Sequence, residues 1–157
     1  VQDYDECIPP YYVPNSVRGP ELPDIGASTT LYWQDLIYPY TKNIQIWVCP
    51  SDEPAGNQSY IRSYGGNYRY VFSHYDDWVY FLADFERPAN RYAMVEATSY
   101  ITRYDPGIPL SSGNGYWGLV DSRHNDQNNV LFLDGHAKSL SHSVVSQQSP
   151  EWTGNWD

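Results

Sequence analysis

The dipeptide Asp134-Gly135 limits the possible folds of this chain more than any other feature of its sequence. It separates two β-prone runs, NVLFL at residues 129–133 and HAKSLS at residues 136–141. An Asp-Gly pair between two such runs is a strong local signal for a β-hairpin, because the glycine adopts positive φ without a steric penalty. The sequence therefore predicts an antiparallel hairpin towards its C-terminal end.

Upstream patterns predict the elements that accompany this hairpin. The stretch STTLYWQDLIYPYTKN, residues 28–43, predicts a helix that Ser28 or Thr29 caps and that Pro39 and Asn43 terminate. Strands are predicted over residues 44–50, 60–72 and 91–101, and a short helix that begins near residue 76 and ends by residue 88. A helix followed by several strands indicates an α+β domain, a short helix with an antiparallel β-sheet.

Composition excludes some classes of partner. The chain of 157 residues has 19 acidic and 9 basic residues, a net charge of −10, and no cluster of Lys and Arg. Binding to phosphates depends on such clusters, so we expect neither nucleic acid nor anionic membranes as partners. No run approaches the ~20 apolar residues that a membrane span needs. The 16 Tyr and 6 Trp suit interfaces and sugar stacking as well as cores, and the composition favours an extracellular or cell-surface protein.

The two cysteines, Cys7 and Cys49, allow two interpretations. They do not form a CxxC pair, so a zinc-ribbon or thioredoxin-like motif is absent. They are either two buried thiols or one disulfide, and the extracellular composition favours the disulfide. Such a bond would close a loop of about 40 residues and stabilise the fold by roughly 3–4 kcal/mol.

The stretch RHNDQNNVLFLDGH, residues 123–136, concentrates side chains that carry chemistry. His124 and Asp134, with Glu96 or His136 nearby, have the residue types of an acid–base pair. No nucleophile motif, phosphate loop or HExxH motif accompanies them, so we expect no enzyme. The same four side chains are also suitable ligands for zinc or another transition metal.

A structural role for this stretch is the interpretation that we favour. Asp134 and Gly135 then form the turn, while Arg123 and His124 donate hydrogen bonds to the turn carboxylate or to neighbouring backbone carbonyls. Calcium is a further possible ligand, because it prefers carboxylate oxygens, although EF-hand spacing is absent. The candidate carboxylates for calcium are Asp3, Asp5, Asp76, Asp77 and Asp121.

Several motifs together resemble the prepilin-type H-X9-DG domain, a family of type IV pilin-like and pseudopilin-like proteins. His124 is followed by nine residues and then by Asp134-Gly135. The blocks QDYDE, YPYTKNIQIWVCPSD, SYGGN and RPANRYAMVEA, in this order along the chain, are similar to further segments of that family. The resemblance implies a pilin-like globular head over residues 1–141, with a proline-rich N-terminal arm, and leaves residues 142–157 as a C-terminal tail. Some pseudopilins bind calcium, so the resemblance also supports that ion.

The family's long N-terminal hydrophobic helix, which forms the centre of pilus filaments, has no counterpart in the sequence. We therefore expect a homopolymer, an extracellular filament or tube assembled through head surfaces or donated terminal arms. The aromatic residues expected at its subunit contacts are Tyr11, Tyr12, Trp152 and Trp156, although Tyr11 and Tyr12 equally suit the domain's own core.

Two other functions remain open at this point. The chain is either a minor pseudopilin of a type II secretion or type IV pilus-like system, or a surface module that binds glycans. Tryptophan rings stack on sugars, and the candidates for such stacking are Trp78, Trp117 and Trp156.

Overall fold

The computed structural model describes most of the chain. The described residues are 6–14, 30–52, 63–73, 79–99, 101–102, 120–147 and 149–154. Within them, none of the helices is long and apolar enough to cross a bilayer.

A five-stranded sheet organises the domain, with the strand order β5-β3-β4-β6-β7. Its strands are β3 (Tyr64–Asn67), β4 (Tyr92–Glu96), β5 (Ile101–Thr102), β6 (Gln127–Phe132) and β7 (Ala137–Ser141). All neighbouring strands are antiparallel except the edge pair β3–β5, which is parallel. A second sheet pairs β1 (Tyr12–Val13) with β2 (Leu31–Tyr32). The α+β class is therefore confirmed.

The predicted C-terminal hairpin is present as β6 and β7. Gly135 has φ of +96°, and its N–H donates a hydrogen bond of 3.0 Å to the carbonyl of Phe132. The two strands pair in continuous register from Gln127 opposite Ser141 to Leu131 opposite Ala137. The turn chemistry of Asp-Gly was sufficient to predict this element because its information is local.

The C-terminal segment covers one face of the sheet. It forms two single-turn helices, α2 (His142–Val145) and α3 (Pro150–Thr153). Val145 and Trp152 are fully buried in a core with β4 and β6 residues. The Trp152 indole N–H donates to the carbonyl of Val145 at 2.7 Å, and the Trp152 carbonyl accepts from Asn67 and Arg91.

A second core packs helix α1 (Trp33–Thr41) against Val71 and Phe72, which follow strand β3, and against Ala93 of β4. Trp33 is fully buried and contacts Trp47 and Phe72, with ring centroids 5.3 Å away in both cases. Gly66 permits this packing, because a Cβ at that position would lie 2.8 Å from the Phe72 ring. The second glycine of SYGGN therefore provides space for aromatic rings.

Helix α1 is shorter than predicted. Residues 31–32 pair with β1 instead of starting the helix, and the side chain of Asp35 caps its first turn by accepting the Tyr32 N–H at 2.8 Å. Pro39 lies inside the helix instead of ending it, and the chain leaves the helix at Lys42 with φ of +48°. The predicted caps at residues 28–29 lie outside the described residues.

Two other local predictions are wrong. The alternating stretch at residues 44–50 forms a 3₁₀ helix, Gln45–Trp47, instead of a strand. It leaves Ile44 and Ile46 exposed and buries Trp47. The start of the helix expected near residues 76–88 lies outside the described residues, and from residue 79 onwards the chain forms the 3₁₀ turn Leu82–Asp84, which a second one, Pro88–Asn90, follows.

Candidate functional site

Arg123 is the centre of a polar network that joins separate segments of the chain. Its guanidinium donates to the Asp121 carboxylate at 2.6 Å and pairs with Asp52 at 3.0 Å. It also donates to the backbone carbonyls of Ser63 and Ala97. The Arg123 side chain is 7% exposed. Burial opposes its charge, but Asp121 and Asp52 outweigh burial and raise the pKa of Arg123. The expected hydrogen bonds from Arg123 to backbone carbonyls are thus present.

His124, the next residue, contacts two other groups. Its Nε2 lies 2.8 Å from Oε1 of Glu96 and 3.2 Å from Sγ of Cys49. Glu96 is fully buried at the end of β4, and Cys49 is also buried. The His124 side chain is 34% exposed, so the cluster has one solvent-facing member. We call Cys49, Glu96 and His124 the Cys-Glu-His cluster.

The surroundings of this cluster hold its side chains in place. The backbone N–H of Asn129 donates to Oε2 of Glu96 at 2.8 Å, and the Asn129 amide contacts Oε1 at 3.3 Å. The Cys49 N–H donates to the hydroxyl of Ser63 at 2.8 Å. Burial raises the pKa of Tyr64 beside the cluster, and the neighbouring Cys49 and Glu96 raise it further.

The predicted disulfide between Cys7 and Cys49 is wrong, since both thiols are free in the structure. Cys7 lies on the N-terminal segment, where its backbone bridges to Phe81. Cys49 instead turns its thiol towards His124 and Glu96. The composition of the sequence carried no information about this arrangement, because it depends on which segments the sheet brings together.

The turn residues Asp134 and His136 form a separate pair. Asp134 Oδ1 lies 2.5 Å from Nδ1 of His136 and accepts the His136 N–H at 3.2 Å. That backbone N–H lowers the pKa of Asp134, and the imidazole lowers it further. The His136 ring stacks on Phe132 with centroids 4.2 Å apart. The turn carboxylate is therefore bound by His136, whereas Arg123 follows the other predicted alternative and donates to backbone carbonyls.

The geometry of the Cys-Glu-His cluster differs from that of a catalytic triad. In a triad, the nucleophile and the orienting carboxylate contact different ring nitrogens of the histidine. Here Cys49 and Glu96 both contact Nε2 of His124. Cys49 is 2% exposed, which limits its access to a substrate. The arrangement suits a shared proton or cation better than activation of a thiol.

The remaining predicted residues divide by location. Tyr11 and Tyr12 are half-buried and contact each other, and Tyr11 also packs on Tyr68 of the second core. Trp152 is buried in the first core. Asp121 binds Arg123. The residues that lie outside the described part are Asp3, Asp5, Asp76, Asp77, Trp78, Trp117 and Trp156.

An open groove on the sheet lies beside the edge strand β7. It has a volume of about 330 Å³. Its lining is mainly apolar and includes Ile46, Tyr64, Met94, Leu131 and Ala137. Ile46 is 46% exposed at its rim. Sequence analysis did not predict this groove, because its walls come from five separate segments.

No family model, curated protein or solved structure matches the chain. The resemblance to the H-X9-DG family therefore stays a prediction that depends on the motifs quoted above.

Proposed function

We propose that this chain is a structural subunit, a pilin-like head domain that assembles with copies of itself into an extracellular filament or tube. The observation that carries the proposal is the exposed edge of β7 beside the open groove. The order of the H-X9-DG-like motifs supports it, and so does the use of Arg123 and His124 in contacts within the domain.

The edge of β7 offers backbone groups to a neighbouring strand. Phe132 N–H donates to the carbonyl of His136, and His142 N–H donates to the carbonyl of Asp126. In an antiparallel pair, the residues that bond to the partner strand alternate with residues whose backbone groups point away. The residues between these two bonds that point away are therefore Ala137, Ser139 and Ser141. The side chains of Ala137 and Ser139 are exposed, so this edge is suited to pairing with another strand.

The occupant that we propose for the groove is the segment Val79–Phe81 of a second copy. Val79 and Phe81 are 54% and 43% exposed. They are two residues apart, so in extended backbone their side chains lie on the same side. The groove is lined by apolar side chains that complement them, among them Leu131 and Met94. Two exposed apolar surfaces of different shape on one chain are consistent with a subunit contact.

This contact would join two different surfaces of the same chain. Such a heterologous contact repeats from copy to copy, and it gives a ring when the rotation closes and an open helical filament when it does not. The net charge of −10 per chain opposes close association. Salt screens charges over about 8–10 Å at physiological ionic strength, so assembly is expected to strengthen as ionic strength rises.

Negative-stain electron microscopy of the purified chain, paired with intact mass, tests the proposal. We expect filaments or tubes from the wild type and only single particles from Ile46→Glu and Phe81→Asp. The matched control is Val144→Glu, because Val144 is also exposed, at 47%, but lies outside the groove. Circular dichroism checks that each variant is folded.

Other outcomes would contradict the proposal in distinct ways. Filaments that persist in both the groove variant Ile46→Glu and the docking-segment variant Phe81→Asp would refute this interface. A folded wild type that stays monomeric at all ionic strengths would refute self-assembly and favour a scarce tip subunit, as in a minor pseudopilin. Binding on a glycan array by that monomer would favour the glycan-binding module, although the tryptophans in the described part, Trp33, Trp47 and Trp152, are all buried.

A further inference from the structure

We propose that Cys49, Glu96 and His124 bind a divalent transition-metal ion of the zinc class. Their ligand atoms, one thiol sulfur, one carboxylate oxygen and one imidazole nitrogen, all lie within 4.8 Å of one another. The three residues come from the segment after the first 3₁₀ helix, from the end of β4 and from the turn before β6. The inference is independent of the proposed assembly.

The contacts within the cluster are better satisfied by a cation than by protons. Nε2 of His124 lies 2.8 Å from Glu96 and 3.2 Å from Cys49, and one proton on that nitrogen must be shared between them. A tetrahedral zinc ion bonds to all three ligand atoms at once. Its bond lengths require ligand atoms roughly 3.4–3.6 Å apart, so the Nε2–Oε1 contact has to open from 2.8 Å by about 0.6 Å and the Nε2–Sγ contact from 3.2 Å by about 0.4 Å.

The charges of the site also balance a divalent cation. Cys49 as thiolate and Glu96 as carboxylate supply two negative charges, while neutral His124 supplies none. Arg123, whose charge acts on Glu96, is itself paired with Asp52 and Asp121. A 2+ ion therefore neutralises the two negative charges of the cluster.

Neighbouring groups orient the ligands before any ion arrives. Asn129 fixes the carboxylate of Glu96 through two contacts, and Ser63 holds the backbone of Cys49 while donating its own hydroxyl proton to Asp52 at 2.6 Å. Outer partners of this kind raise metal affinity. The partly exposed His124 gives an ion access from solvent, where water completes the coordination.

The donor set determines the class of metal. A thiolate with an imidazole selects zinc, cobalt and similar ions, whereas calcium and magnesium require oxygen ligands. The structure thus favours a different ion from calcium. It also supports a ligand set in which Cys49 replaces the Asp134 and His136 of the sequence-based prediction.

Metal titration of the chelator-treated, reduced protein tests this site. We expect one Co²⁺ per chain, with a sulfur-to-cobalt charge-transfer absorption that Zn²⁺ abolishes by displacement. Cys49→Ser and His124→Gln should remove that absorption and weaken zinc binding by roughly 100-fold or more. Competition with a chromophoric chelator measures the affinity, and circular dichroism confirms folding.

Two matched controls make the result specific. Cys7→Ser removes the other thiol, and His136→Gln removes an imidazole that is bound to Asp134 instead. Both should bind zinc as the wild type does. A folded, reduced wild type without a thiolate–cobalt absorption would overturn the proposal. So would an absorption that survives Cys49→Ser or disappears in Cys7→Ser.

Discussion

The C-terminal segment packs into the domain core, and the neighbouring residues Val144 and Val145 provide a matched test of how much this packing stabilises the fold. Val145 is fully buried, whereas Val144 is 47% exposed. Val145→Ala removes two buried methyl groups, worth about 1.6 kcal/mol of transfer free energy, and leaves a cavity that adds to this cost. We expect it to lower the free energy of unfolding by about 2–3 kcal/mol and Val144→Ala to change it by less than about 0.5 kcal/mol.

Trp152 extends the same test. Trp152→Ala should cost about 3–5 kcal/mol, and Trp152→Phe about 1–3 kcal/mol, because it leaves the buried Val145 carbonyl without its indole donor. Urea denaturation followed by far-ultraviolet circular dichroism measures each value. In the Ile46→Glu background, which removes the proposed contact between copies, the midpoints should not depend on protein concentration, because the segment packs on its own chain. Equal stabilities for the two valine variants, or a strong concentration dependence in that background, would show that residues 142–154 act as an arm donated between copies.

Three further substitutions test other parts of the structure. Gly66→Ala places a Cβ 2.8 Å from the ring of Phe72 and should cost about 1–3 kcal/mol in urea denaturation; a neutral effect would contradict the close packing. Arg123→Met leaves the carboxylate of Asp52 without its buried partner and should cost about 3–5 kcal/mol; a loss under 1 kcal/mol would contradict the network. Burial, with a smaller effect of the Glu151 carboxylate, raises the pKa of Tyr92 from 10 to about 12. The folded state therefore disfavours ionised Tyr92, so stability is fully present below pH 10 and falls as pH rises towards 12. Between pH 10 and pH 12, the free energy of unfolding of Tyr92→Phe should fall by about 2–3 kcal/mol less than that of the wild type. Curves of stability against pH that run parallel for the two proteins would refute this assignment.

The elements that the sequence predicted correctly are those whose information is local. Asp134-Gly135 specifies its own turn, and the β-prone runs on either side specify strands that pair through it. The stretch at residues 44–50 shows the limit of this reasoning. Its alternation is typical of a half-buried strand, but Ile44 and Ile46 face solvent and neither residue belongs to a strand. Their exposure depends on tertiary packing, which overrides β-propensity.

The candidate site was only partly predictable for the same reason. His124 and Glu96 were recognised from their residue types, but nothing in their spacing pointed to Cys49, which is 75 residues from His124. Cys49 was assigned to a disulfide because a composition cannot show which partner a thiol faces. Likewise, Asp134 and His136 are two residues apart and bind each other, which removes them from the cluster that sequence reasoning placed them in.

Asn129 connects the Cys-Glu-His cluster to the surface that we propose for assembly. Its backbone N–H holds Glu96, its position lines the groove, and it lies opposite Ser139 of the edge strand. An ion that fixes Glu96 would therefore also restrain the strand beside the docking edge. The two proposals nevertheless separate experimentally, because Cys49→Ser removes a ligand while leaving β7 and the groove lining unchanged. Filaments that form equally well from this variant, with or without zinc, would show that the ion plays no part in the contact between copies.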